Sequence, residues 1–346
     1  MTFNVEWMTN LFLTQKAKFY QSKSLARGLG RKPKDVPLVC KKIAGVISDV
    51  DADIIGIQEG PPRKRQMQKF VKDYLNDAYT VYSMEHGAQS VHALVKKNLN
   101  LEIKQLKETH KIYKHLSKKL EYYTWDEVKK KRLENFTRKP VVLEVTAGGE
   151  RIEIMIFHTK SKISALKKAK DWDERYREKI ISAIRSRQKL SAEMALIRRY
   201  LSHAILSKRV QGCILMGDLN DGPNRDVFES QFLIHNIVDE LRGGFHREEA
   251  LMHHCLTQTQ LASKHAYTSD FNDPTQSGKK INVLIDHILL SDNLVNGKSN
   301  FQLVKDKSKI EHSIYNKYVD NSGIKSHERP SDHIPLTATL KIKNAP

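Results

Sequence analysis

The sequence predicts an α/β protein in which mostly short, buried strands build a two-layer sheet core and helices cover its outside. Three observations carry this expectation. The runs at 54–57 and 213–216 are short and apolar, the form of strands buried on both faces. Between such runs lie longer stretches whose apolar residues recur at helical spacing, as Val39, Ile43 and Val46 do. The segment 139–158, KPVVLEVTAGGERIEIMIFH, holds two strand patterns about the turn Ala147-Gly148-Gly149-Glu150, a hairpin signal.

Taken in order, residues 2–7 form a strand in which Phe3 and Val5 alternate with Asn4 and Glu6. A basic connection through Arg27, Gly28, Gly30, Arg31 and Lys32 follows, and Asp35 with Pro37 then opens a helix, a cap before a first-turn proline. That helix feeds a strand at 53–58 that ends on Glu59. Met67, Phe70, Val71 and Tyr74 mark a second amphipathic helix, and strands fit 79–83 and 91–96. Residues 101–135 read as a basic helical insertion, with Leu106, Tyr113, Leu116 and Leu120 as its apolar stripe and Lys107, Lys111, Lys114, Lys118 and Lys119 elsewhere. The hairpin puts His158 at the exit of its second strand. Residues 164–207 are helical, with Leu190, Met194, Ile197, Leu201 and Ile205 in period. The strand at 213–216 runs into Gly217-Asp218-Leu219-Asn220. A strand at 283–290 contains Asp286, a charged loop spans 305–329, and a last strand at 335–342 follows Ser331-Asp332-His333. No repeat interrupts this order, and residues 1–346 read as a single domain.

A chain of 346 residues can bury a large core without disulfides, and 39% hydrophobic residues set it apart from disordered and fibrous classes. No apolar stretch is long enough for a membrane span, so none is expected. The N-terminus lacks the pattern of a secretory signal, and Cys40, Cys213 and Cys255 are too few and too far apart for a disulfide framework; cytoplasm is the expected location. With 59 Lys and Arg against 40 Asp and Glu, the formal charge is +19, a field that draws polyanions. Nucleic acid is the expected partner, DNA first.

Five strand ends carry Asn4, Glu59, His158, the pair Asp218 and Asn220, and the pair Asp332 and His333, while Asp286 lies in a sixth strand. Residues on strand ends converge at one sheet edge although distant in sequence. Carboxylate and amide oxygens suit a hard cation such as Mg²⁺, and two histidines beside it titrate near neutrality for acid and base roles. That set of groups fits phosphodiester hydrolysis.

The segments FNVEW (3–7), DADIIGIQE (51–59), FTRKP (136–140), FHTKSK (157–162), MGDLND (216–221), IDHILLS (285–291) and SDHIPL (331–336) stand in the order of the endonuclease/exonuclease/phosphatase superfamily, which the chain closely resembles from residue 3 to about 341. The resemblance implies the four-layer α/β/β/α sandwich of the deoxyribonuclease I-like type and a Mg²⁺-dependent phosphodiesterase, with Mn²⁺ able to substitute. Residue by residue, it implies that Glu59 is the principal metal ligand, with Asn4 in its hydrogen-bonding shell and Asp332 bordering the metal. Asp218 would orient or deprotonate the attacking water and Asn220 would hold the scissile phosphate. Asp286 would orient His333, itself a base or a donor to the phosphate. His158 matches the catalytic histidine of the deoxyribonuclease I-like, sphingomyelinase-like and inositol-phosphatase-like branches, and Arg138 matches a phosphate-contacting arginine. Lys160 is a candidate second phosphate contact, with a solvated basic loop as the alternative reading of HTKSK. The sequence departs from the pattern after Gly87, where Gln89, Ser90 and His92 offer His158 no carboxylate partner.

Charge and motifs together favour a nuclease acting on DNA, or on RNA, with Arg63, Lys64, Arg65, Lys111, Lys114, Lys118 and Lys119 along the substrate groove. The alternative is a phosphoesterase for a lipid or small phosphorylated molecule, and the complete residue set argues against a silent binding module.

Overall fold

In the computed structural model, which describes residues 1–13, 16–223, 225–232, 235–319 and 326–343, the chain begins on strand β1 (Thr2–Asn4). Helix α1 (Val36–Val50) follows, capped by Asp35, whose Oδ1 accepts the Leu38 N–H at 2.9 Å. Then come β2 (Ile54–Gly60), α2 (Lys64–Tyr74), β3 (Tyr79–Met84) and β4 (Ser90–Lys96). The middle of the chain supplies β5 (Glu102–Gln105), α3 (Lys111–Leu116), β6 (Leu120–Thr124), β7 (Glu127–Glu134), β8 (Val141–Ala147) and β9 (Glu150–His158). Helices α4 (Ala169–Asp173) and α5 (Arg177–Leu206) lead to β10 (Gly212–Asp218). The last third contains β11 (Met252–His254), β12 (Ser269–Asp273), β13 (Lys279–Val283), β14 (Asp286–Ser291), β15 (Phe301–Ile310) and β16 (Leu336–Ile342).

Two six-stranded sheets, ordered β15-β16-β1-β2-β4-β3 and β11-β14-β10-β9-β8-β5, pack face to face. Gly56 of β2 marks how close they come: a Cβ there would stand 2.8 Å from Ile156 and 3.2 Å from Met216 of the other sheet. Ile55, Ile57 and Leu94 form a second core with Val39, Ile43 and Ile47 of α1 and Met67, Phe70 and Val71 of α2. By the period-two rule Met155 and Leu215 point away from the first sheet, on the side where α5 lies against β10. Helices, sheet, sheet and helix make the four layers expected.

Four expectations need correction. Residues 101–135 are not one helix: β5 pairs with the open edge of β8, α3 is a single short helix, and β6 and β7 form a hairpin beside α5. The stripe Leu106, Tyr113, Leu116 and Leu120 is buried as expected, yet it comes from separate pieces of chain. An unpaired sheet edge and the strand-forming run Tyr122, Tyr123 and Thr124 override helix propensity here. The strand at 283–290 splits, with Val283 closing the β12–β13 hairpin and Asp286 opening β14. The charged loop at 305–329 is partly ordered by β15, which runs to Ile310, and by a helix at His312–Lys317; residues 320–325 lie outside the described residues. The helical stretch at 164–207 resolves into α4 and the 30-residue α5.

Candidate active site

Strand register assembles the site. In the parallel pair β9–β10, His158 stands opposite Asp218, and in the antiparallel pair β10–β14, Asp218 stands opposite Asp286. On the facing sheet β1 runs parallel to β2, with Asn4 opposite Gln58 and Glu59 next along the chain. Gly217 makes the end of β10 possible: its φ is 144°, and a Cβ would lie 1.9 Å from the Phe157 carbonyl oxygen. Glu59 and Asn220 both sit at φ 55°, a left-handed backbone that non-glycine residues adopt at a cost and that clusters at functional sites.

The two sheets meet at Asp218. Asn4 Nδ2 donates to Asp218 Oδ2 at 3.0 Å, its Oδ1 accepts the Glu6 N–H at 3.0 Å, and the Asn220 N–H donates to Asp218 Oδ1 at 2.9 Å. His158 Nε2 lies 3.7 Å from Asp218 Oδ2 and 4.0 Å from Glu59 Oε1. His333 Nδ1 bonds Asp286 Oδ2 at 2.7 Å, which turns its Nε2 toward Asp218 Oδ2 at 4.0 Å and Asp332 Oδ1 at 3.9 Å. Ser331 fixes the last segment, since its Oγ donates to the Asn4 carbonyl at 2.6 Å and accepts the His333 N–H at 3.0 Å. The Nδ1 of His158 is buried with no partner among the described residues, in keeping with the missing carboxylate.

These environments push the groups apart electrostatically. Burial raises the Asp218 carboxyl to about 7. Burial, with the nearby Asp332 carboxylate, raises Glu59. His158 is pushed well below the ordinary imidazole value by burial, then by Arg138 and His333. Burial alone would lower His333 too, but the Asp286, Asp332 and Asp218 carboxylates outweigh it and hold the imidazolium well above its ordinary value.

The cluster suits a divalent cation. Glu59 and Asp332 are hard oxygen donors whose mutual repulsion a cation would relieve, and the Trp7 N–H bonds Glu59 Oε2 at 2.8 Å and so fixes that carboxylate. Among the described residues no group of three or more His, Cys, Asp or Glu side chains forms a cage for an ion. A hard divalent cation is commonly held by one or two carboxylates and keeps waters and phosphate oxygens as its other ligands.

Arg138 lies at the rim, its guanidinium donating to the Thr159 carbonyl at 3.2 Å and to Gln89 Oε1 at 3.3 Å. Lys160 is half-buried, with its Nζ on the Ser161 carbonyl at 2.5 Å. The groove residues are scattered. Arg63 pairs with Glu85 at 3.1 Å, while the side chains of Lys64 and Arg65 are exposed beyond it. Lys111, Lys114, Lys118 and Lys119 are exposed in and after α3, on the flank beside α5.

Several supporting residues escape the sequence reading. Glu193 is fully buried on α5 and accepts the Thr137 N–H at 2.7 Å and the Lys160 N–H at 3.1 Å, so one carboxylate pins both rim loops. Its position among Leu190, Met194 and Ile197 was the available signal. Glu6 lies 3.7 Å from Arg31 and 3.3 Å from Arg329, and Arg329 reaches Asp332 at 3.7 Å. Lys162 of the FHTKSK segment is held by Asp221, Asp226 and Glu229.

The model of the endonuclease/exonuclease/phosphatase family matches residues 1–333, and the chain belongs to that family. It is therefore a hydrolase of phosphoester bonds, in a family whose enzymes generally use divalent metal ions. Similar solved structures include truncated Caenorhabditis elegans TDP2, at 17% identity over 88% of this chain and 90% of that one, with a TM-score of 0.48. A mannosyl-6-phosphatase of Bacteroides thetaiotaomicron is 15% identical over 88% and 91%, with a TM-score of 0.44. An endonuclease/exonuclease/phosphatase from Bacteroides vulgatus is 13% identical over 90% and 92%, with a TM-score of 0.44. No curated protein matches the sequence.

Proposed function

We propose that this phosphoesterase is a Mg²⁺-dependent nuclease that hydrolyses DNA, or RNA, by in-line attack of an activated water. The observation that carries the reading is the meeting of both sheets at Asp218 in a chain of charge +19. A polyanion gathers at such a surface by counterion release, and a phosphodiester at its reactive edge meets every group that hydrolysis needs.

Each group has a role that its geometry supports. Asp218, held by Asn4 and the Asn220 N–H, orients the attacking water and takes its proton. His333, locked by Asp286, presents an Nε2 proton to the phosphate, where negative charge grows as the water adds. His158 Nε2, on the Glu59 side of Asp218, would give a proton to the leaving oxygen, since an anionic phosphate bound beside it favours the imidazolium that burial alone disfavours. Asn220, Arg138 and Lys160 hold phosphate oxygens. Glu59, with Asp332 at the border, would hold the cation, which when bound polarises the phosphoryl group and neutralises its charge. The structure supports Asn4 as a bridge to Asp218, with both ends of its amide already engaged.

Three free, buried cysteines support a reducing compartment such as the cytoplasm. Among the described residues no helix is long and apolar enough to cross a membrane. The test is a substrate panel of supercoiled plasmid, linear duplex, single-stranded DNA, RNA, a phosphoinositide and a sphingomyelin mimic, each with and without Mg²⁺. Cleavage of a nucleic acid well ahead of the lipid substrates is expected; the reverse order would replace the reading with a lipid phosphoesterase.

A further inference from the structure

The connection between β1 and α1 contains a loop, residues 22–34, that none of these roles uses. Its base is closed by backbone bonds, Ser24 N–H to the Pro33 carbonyl at 2.9 Å and Val36 N–H to the Ser22 carbonyl at 2.8 Å. Asn10 Nδ2 donates to the carbonyls of Leu29 at 2.9 Å and Arg31 at 3.0 Å. Arg31 is 1% exposed, and its guanidinium spans the carbonyls of Val5 at 2.8 Å and of Arg329 and Pro330 at 2.9 Å. One buried side chain thus ties the loop to the segments that carry Asn4 and Asp332. Gly30, at φ 89°, lies so close to Trp7 that a Cβ would meet the indole at 2.3 Å, and Trp7 is the residue whose N–H holds Glu59. The loop is a compact unit clamped to the candidate metal carboxylate.

Its outward face is unlike its inside. Leu25 is 65% exposed and Leu29 77%. Lys23, Arg27, Lys32 and Lys34 are exposed around them; Lys34 donates its backbone N–H to Glu328 Oε1 at 3.1 Å, and no ion pair of these four side chains is found among the described residues. Two leucines held in water on a clamped loop add nothing to the fold, since burial is what makes such side chains stabilising. Apolar side chains ringed by unpaired cations match a stacked polyanion: the cations meet phosphates, while leucine enters between base steps, as apolar wedges do in proteins that kink duplexes.

We propose that the 22–34 loop is a duplex wedge, in which Leu25 and Leu29 enter an unstacked base step of double-stranded nucleic acid beside the scissile phosphate and the four cations grip the flanking backbone. The proposal rests on the nuclease reading and adds a preference for duplex that can be bent. A bilayer with anionic headgroups is the rival for an apolar, basic tip. The loop's lack of Trp or Phe, the residues usual on interfacial segments, argues against it.

The test uses the full-length protein in EDTA, with a duplex carrying 2-aminopurine, a base that brightens when unstacked. The wild type is expected to bind the duplex and raise the fluorescence. The double variant Leu25→Ser/Leu29→Ser should lose that rise and bind duplex about tenfold more weakly, the scale of losing apolar burial, with less than about a twofold change on single strands. Replacing Lys23, Arg27, Lys32 and Lys34 with Gln should flatten the salt dependence and keep the fluorescence rise at saturation. Duplex binding in EDTA, and cleavage in a parallel assay with Mg²⁺, that ignore the leucines would overturn the wedge and leave the nuclease reading standing. Absence of nucleic-acid binding in EDTA together with absence of cleavage in Mg²⁺ by the wild type would overturn both. Leucine-dependent binding to phosphatidylserine vesicles, with DNA binding unaffected by the variant, would make the loop a membrane contact instead.

Discussion

His158 and Asp218 are register partners on the parallel strands β9 and β10, with the imidazole Nε2 3.7 Å from the carboxylate Oδ2. Backbone hydrogen bonds set that pairing, so side-chain packing alone does not have to position the two groups. The same register continues to Asp286, whose carboxylate holds His333 at 2.7 Å. One sheet therefore carries His158 and Asp286 beside Asp218, while the other sheet brings Asn4, Glu59 and, in the segment before β16, His333 to meet it.

Metal binding has a readout separate from turnover. Mg²⁺ or Mn²⁺ should raise the melting temperature of the wild type, because a ligand that binds only the folded state stabilises it by mass action. Glu59→Gln should lose most of that rise, and EDTA should abolish hydrolysis. A calorimetric scan with and without the ion checks the first part; full activity in excess EDTA would remove metal from the account.

The leaving group separates proton donation from phosphate binding at His158. His158→Ala should be impaired by about a hundredfold or more on ordinary phosphodiesters, whose leaving alkoxide needs a proton, and much less on an activated aryl ester. Equal losses on both substrates would assign His158 to ground-state binding.

Much of the site was legible because it is written in short contiguous segments. MGDLND and SDHIPL each place a strand end and its functional residues within six positions, and the face-to-face packing of their two sheets, with Asp286 beside Asp218, brings Asp218 and His333 together. Glu193, Arg31 and Glu6 escaped because their partners are backbone groups or charges that only the tertiary fold brings close. The 101–135 segment was misread because leucines at helical spacing are equally compatible with several short elements covering one core, and the free edge of β8 decides between them.

The exposed lysines of that segment remain a test of polyanion binding. Replacing Lys111, Lys114, Lys118 and Lys119 with Gln should weaken duplex binding at physiological salt. It should flatten the log K against log salt slope by up to about 0.9 per lost phosphate contact. An unchanged slope in a binding titration would return α3 to an ordinary solvated surface.

Stability should depend on pH through a histidine outside the site. His92 is fully buried between Ser83 Oγ at 2.7 Å and the Pro61 carbonyl at 2.8 Å, and burial lowers it to about 4. The unfolded chain binds this proton near pH 6.5, so His92 contributes its full stability above that pH. The contribution is lost as pH falls toward 4, by roughly 3 kcal/mol in all. Denaturant titrations should show a shallower loss between pH 6.5 and 4 in His92→Gln than in the wild type; parallel curves would contradict this.

The central claim is that the groups gathered at Asp218 hydrolyse nucleic-acid phosphodiesters. Its most direct test is the rate of duplex DNA hydrolysis in Mg²⁺ by the wild type, Asp218→Ala and His333→Ala, with folding matched by circular dichroism. The account predicts cleavage by the wild type and a loss of about three orders of magnitude or more in each variant, with DNA binding largely kept. Near-normal cleavage by Asp218→Ala, or a wild type that turns over a phospholipid or sugar phosphate and leaves DNA intact, would contradict it.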